Sequence, residues 1–122
     1  MPSLPEPAGL CVLIVEDDEG VRRSLQLMLK WRGFAVQSCG SVAAVRELGT
    51  SAAGLLVTDY HLPDGTGLDV LELLHAAGWH GRAVLITAVS SPDLAAKAGA
   101  RGFHAVLEKP MEREALIRAL TE

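Results

Sequence analysis

Three blocks of consecutive apolar residues, "LCVLIV" (residues 10–15), "GLLVTD" (54–59) and "RAVLIT" (82–87), each run straight into polar residues. Runs of that length without polar alternation predict strands covered on both faces. Between them a spacing of three and four takes over. From residue 19 to 32 the apolar positions Val21, Leu25, Met28 and Leu29 form one helical stripe, with Arg22, Arg23, Gln26 and Lys30 on the other side and Gly33 as a left-handed stop. "FAVQSC" (34–39) predicts a second strand, Ser41 caps a short helix running through Leu48, and residues 67–77 form a helix ended by Gly78. Ser91 and Pro92 open a further helix, "HAVLE" (104–108) is a fifth strand, and residues 112–120 close the chain with Leu116, Ile117 and Leu120 on one stripe.

Five strand–helix units in succession predict an α/β fold: a doubly wound, five-stranded parallel sheet of the flavodoxin-like kind, strand order 2-1-3-4-5. Pro2, Pro5 and Pro7 mark residues 1–9 as a flexible tail and leave residues 10–122 as one domain. Hydrophobic residues make up 49% of the chain and aromatics only 4%, so Leu, Val, Ile and Ala must build the core. Trp31 and Trp79 each close a helix and are expected to shield core edges. Cys11 and Cys39 fall at opposite ends of neighbouring strands, about 15 Å apart at ~3.3 Å per residue, too far for a disulfide, so two buried thiols are expected.

Charge and hydropathy narrow the function. A net charge of −4 argues against direct nucleic-acid binding, which needs a basic surface. The apolar runs are too short to span a bilayer, and "MPSLPEPAG" lacks the features of a signal peptide, so no membrane insertion and a cytoplasmic location are expected.

The predicted sheet gathers the carboxyl ends of all its strands on one edge, where ligands bind in such folds. Glu16 and Asp17, Asp59, Thr87 and Lys109 end strands one, three, four and five in this reading. Two unit charges ~5 Å apart at an effective dielectric of ~20 repel by roughly 3 kcal/mol, so three carboxylates there call for a compensating cation. Mg²⁺ takes two or three protein oxygens while accepting phosphate oxygens. With the Lys109 ammonium and the Thr87 hydroxyl, the set suits a phosphoryl group on Asp59. A carboxylate nucleophile needs no general base. Asp18 is read as the start of the first helix, Asp64 and Asp69 as turn and helix-start residues, and His75, His80 and His104 as surface or partly packed side chains.

The segments "VLIVEDD" (12–18), "TDYHLPDGTGLDVL" (58–71), "VLITA" (84–88) and "LEKP" (107–110) together resemble, in order and spacing, the receiver domain of two-component response regulators. The resemblance covers nearly everything after the proline-rich start. It implies that Asp59 is the phosphoacceptor, that Glu16, Asp17, Asp59 and the backbone carbonyl of His61 hold Mg²⁺, and that Thr87 and Lys109 contact the phosphoryl group. It also implies a cis bond between Lys109 and Pro110. The implied partner is a histidine kinase or histidine phosphotransfer protein docking on the first helix, and a phosphorylation-dependent dimer fits the same class. Such a domain is not an enzyme beyond its own phosphorylation and dephosphorylation. Val106 stands where the family usually has an aromatic residue, which argues against the usual threonine-to-aromatic coupling. Two other readings compete: a degenerate receiver that binds partners without phosphorylation, and a phosphatase of the haloacid-dehalogenase kind, which would want an acid where His61 stands.

Overall fold

The computed structural model describes residues 10–48 and 53–122; the expected tail over residues 1–9 lies outside them. The first strand, β1 (Cys11–Val15), leads into α1 (Glu19–Trp31), then β2 (Ala35–Cys39), α2 (Val42–Leu48) and β3 (Leu55–Asp59). A two-residue hairpin follows, β4 (His61–Leu62) and β5 (Gly65–Thr66), and then α3 (Gly67–Ala76), β6 (Arg82–Thr87), α4 (Pro92–Arg101), β7 (Ala105–Glu108) and α5 (Arg113–Thr121). The five long strands form one parallel sheet in the order β2-β1-β3-β6-β7, which is the expected order once the hairpin is numbered in. The hairpin itself is not foreshadowed, because a ladder of two residue pairs is too short to carry an apolar period.

Strand alternation divides the core in two. Leu13, Val15, Leu56 and Leu85 face α2, α3 and α4, meeting Val42, Val45, Leu71 and Leu74. Val12, Ile14, Val57, Val84 and Ile86 face the other way, against Leu25 and Leu29 of α1 and Leu116, Ile117 and Leu120 of α5. Every residue of β3 is buried, its central place in the sheet covering even Thr58 and Asp59.

Local chemistry sets the helix ends. The Asp18 carboxylate accepts from the Val21 amide at 2.9 Å, and Ser91 caps α4 with Pro92 in its first turn. At α3, Thr66 and Asp69 form a reciprocal capping box, the helix-start role expected of Asp69. Gly33 takes a φ of 97°, the left-handed stop that the sequence asks for after α1.

Two expectations need correction. Trp79 does seal a core edge, its indole N–H donating to the Ala53 carbonyl at 2.6 Å, but Trp31 is 88% exposed. It lies off the Val21–Leu25–Met28–Leu29 stripe, and helix geometry turns it outward. The cysteines are half-buried rather than buried; Cys11 pairs in register with Ala35 and Cys39 with Val15, so they do occupy opposite strand ends.

Gly67 explains how α3 can start directly under the site. A Cβ there would lie 2.6 Å from the Asp59 carbonyl oxygen and 2.6 Å from Leu85 Cδ1. Gly67→Ala is therefore expected to cost about 2 kcal/mol, the usual penalty for overpacking a closed site. Urea denaturation checks it; an unshifted midpoint would show that the backbone yields freely at this point.

Candidate functional site

The edge formed by the carboxyl ends of β1, β3, β6 and β7 carries the polar cluster. Oxygens of Glu16, Asp17 and Asp59 lie within 4.8 Å of one another, the only such group of acids, histidines or cysteines among the described residues. Glu16 is 2% exposed and Asp59 8%, so water screens neither carboxylate well, while Asp17 is open to solvent. The Lys109 ammonium reaches across from the end of β7, donating to Glu16 Oε1 at 2.8 Å and to Asp59 Oδ2 at 2.9 Å. One cation thus bridges two buried anions, and the third acid leaves the group net negative.

The frame around the cluster is backbone. Glu16 N–H donates to the Cys39 carbonyl at 3.0 Å, and Arg22 Nη1 donates to the Glu16 carbonyl at 2.8 Å, which fixes the β1–α1 turn from both sides. Tyr60 N–H donates to the Ile86 carbonyl at 2.7 Å, and Lys109 N–H to the Thr87 carbonyl at 2.8 Å, extending the ladder to the tips of the strands. The Lys109–Pro110 bond is cis, as the resemblance implies.

Electrostatics follow from burial. Loss of water pushes the Glu16 carboxyl up to about 7, with Lys109 opposing and the Asp59 charge adding to the rise. For Lys109, burial works against the charge, but the bonds to Glu16 and Asp59 outweigh it and hold the ammonium above its ordinary value. A carboxyl raised in the folded state binds its proton more tightly there than in the unfolded chain. The contribution of Glu16 to metal-free stability is therefore full below its unfolded value of 4.5 and is lost as pH rises through about 7. In urea melts with chelator present, the midpoint should fall between pH 5 and pH 8 more steeply in the parent than in Glu16→Gln. Equal slopes in the two proteins would remove Glu16 as the cause.

Each expected site residue can be placed. Glu16, Asp17, Asp59 and Lys109 come together. Thr87 is buried at the end of β6, but its hydroxyl donates to the Val89 carbonyl at 3.1 Å and accepts from the Val89 amide at 3.3 Å. Among the described residues, no hydrogen bond joins it to Asp59. His61 begins β4 with its side chain exposed, its ring edge-on to Tyr60. Val106 is half-buried against the α2–α3–α4 face of the core. Asp18 caps α1, His75 and His80 stack on each other, and His104 Nδ1 accepts from the Ala83 amide.

Asp64 does more than occupy a turn. Its two oxygens accept the Val42 and Ala43 amides, both at 2.9 Å, joining the hairpin to the start of α2. The partner amides lie 21 and 22 residues away in sequence, so no local pattern could have revealed the bond.

The donor set suits a hard divalent cation. Three clustered carboxylate oxygens, two of them poorly screened, exceed what one ammonium neutralises, and oxygen-only donors are what such ions take.

Comparison with known proteins agrees with this geometry. The model of the response regulator receiver domain matches residues 12–121. The transcriptional regulatory protein FixJ of Azorhizobium caulinodans is 36% identical over 115 residues, covering 93% of this chain and 54% of that protein. The chain spans about half the length of the curated relatives it matches. The solved FixJ-N structure superposes with a TM-score of 0.80 at 33% identity, covering 90% of this chain and 89% of that one. A Burkholderia pseudomallei response regulator, solved with a phosphorylated aspartic acid, a calcium ion and citrate, gives a TM-score of 0.81 at 26% identity, covering 91% of this chain and 66% of that one. A match running from β1 through α5, on a sheet whose edge gathers the acids and the lysine, leads to one conclusion: this chain belongs to the response regulator receiver domains of two-component signalling.

Proposed function

We propose that Asp59 accepts a phosphoryl group from a phosphohistidine on a histidine kinase or histidine phosphotransfer protein. The observation that carries this reading is the Lys109 ammonium held between Glu16 and Asp59 in a three-carboxylate cluster. A carboxylate oxygen of Asp59 forms the new bond to phosphorus, the phosphorus–nitrogen bond of the donor breaks, and the freed imidazole keeps the electron pair and takes a proton. No general base is needed, because the nucleophile is itself an anion.

Glu16, Asp17, Asp59 and the His61 backbone carbonyl would hold Mg²⁺, which when bound neutralises the charge on the transferring oxygens. Lys109 supplies a second, fixed positive charge to those oxygens. The phosphorylated aspartic acid of the Burkholderia relative supports the same chemistry here. The Thr87 hydroxyl then exchanges its bonds to the Val89 backbone for the phosphoryl group, which frees the 88–91 loop. Val106 is too short to swing between buried and exposed states, so the response stays in that loop and its tie from the Ser90 amide to Glu108 Oε1 at 2.7 Å.

The donor protein docks on α1, where Leu27 and Trp31 stand exposed beside Arg23 and Lys30. The domain acts in the cytoplasm, catalyses only its own phosphorylation and dephosphorylation, dimerises on phosphorylation and binds no nucleic acid itself. The test is intact mass after incubation with Mg²⁺ and a small acyl phosphate. One added phosphoryl group, dependent on Mg²⁺, is expected. Absence of an adduct would favour a phosphorylation-independent interaction module, and turnover of general phosphoesters a phosphatase.

A further inference from the structure

The geometry points to Asp64 as a positioning residue for the divalent cation, holding the two halves of the acid cluster in register across the β2–α2 turn. The inference rests on the cation reading given above. One half is Glu16 and Asp17, and their backing is the β2–α2 turn. Glu16 N–H bonds to the Cys39 carbonyl, and at Gly40 a Cβ would lie 3.6 Å from the Glu16 carbonyl oxygen and 3.7 Å from Asp17 Cα. The other half is Asp59 and the hairpin that begins two residues later at His61.

Asp64 joins them. From the turn between β4 and β5 it accepts the Val42 and Ala43 amides, one on each oxygen at 2.9 Å, immediately after the segment that backs the acid pair. These bonds hold its carboxyl below the usual aspartate range, so the clamp stays ionised wherever the cation can bind. Gly65, next in the turn, seats against the same helix: a Cβ there would come 3.1 Å from Val42 Cγ2 and 2.7 Å from Asp69 Oδ2. Asp69 in turn accepts the Thr66 amide at 2.9 Å, so the hairpin is tied to α2 by one aspartate and to α3 by the other. Without Asp64 the α2 tie is lost, and the backbone at His61 can drift from Asp17.

The rival explanation is that Asp64 merely caps α2. Ser41 gives the control, since its hydroxyl accepts the Ala44 amide at 3.0 Å and so caps the same helix from the chain immediately before it. Mg²⁺ is titrated calorimetrically into the whole chain, and thermal melts are recorded with chelator. Asp64→Ala is expected to weaken Mg²⁺ about 10-fold, as loss of an outer-shell support does. Ser41→Ala should lower the melting temperature while leaving Mg²⁺ affinity unchanged. Asp64→Asn keeps one acceptor oxygen, should fold, and should fall between parent and alanine variant; it carries the test if the alanine variant is unstable. Hydrogen exchange over residues 61–66 should quicken in both Asp64 variants even without metal. Unaltered Mg²⁺ affinity in Asp64→Asn and Asp64→Ala, or equal weakening in Ser41→Ala, would overturn the inference. Failure of the parent itself to take up Mg²⁺ would instead sink the underlying cation reading, and the inference with it.

Discussion

Asp59→Asn is expected to abolish the phosphoryl adduct formed with Mg²⁺ and a small acyl phosphate, lowering its yield at least about 100-fold. The reason is chemical: an amide oxygen has neither the charge nor the nucleophilicity of a carboxylate, and catalysis by the surrounding charges cannot restore them. The substitution is otherwise mild. Asparagine keeps an oxygen that can accept from Lys109, and it removes one of two poorly screened anions facing each other across the cluster. The variant should therefore fold and melt close to the parent, which makes lost phosphorylation interpretable. Intact mass spectrometry measures it. An undiminished mass gain in Asp59→Asn would place the acceptor elsewhere, with Glu16 and Asp17 the first residues to examine.

The second large effect is on stability. Lys109→Met keeps the aliphatic stem and removes the ammonium, leaving Glu16 and Asp59 buried together with no cation between them. Taking one partner from a buried ion pair costs ~3–5 kcal/mol. Lys109 is 27% exposed, which screens the interaction, so a loss of about 2 kcal/mol is expected in chelator at pH 8. Lower pH should shrink the loss, because Glu16 then takes a proton and the repulsion disappears. Saturating Mg²⁺ should shrink it as well, by supplying the missing charge and by mass action. Urea melts in the four combinations of pH and Mg²⁺ check this. A loss that neither pH nor Mg²⁺ alters would mean that Lys109 stabilises through packing of its stem alone.

The fold was readable because its strands are unusually plain. With so few aromatics, the apolar runs at 10–15, 54–59 and 82–87 have no competing interpretation, and capping residues such as Asp18, Ser91 and Gly33 mark where helices begin and stop. The cluster of Glu16, Asp17, Asp59 and Lys109 was equally open, since strand ends in a parallel sheet must share an edge. What sequence hid depends on tertiary direction. Whether the Thr87 hydroxyl points to Asp59 or to the Val89 backbone is a rotamer choice that no spacing encodes. The Asp64 clamp needs two segments brought together by folding. The exposure of Trp31 is instead encoded in the sequence: its angular offset from Val21 and Leu25 sets it off the buried stripe of its helix.

That outward indole gives the molecule a built-in optical gauge. Of its two tryptophans, one is locked in a dry seam and bonded to a carbonyl, whereas the other stands in water on the flank of the first helix. A collisional quencher reaches the second and not the first, so emission from this chain separates the integrity of its interior from the occupancy of its first-helix flank without any label.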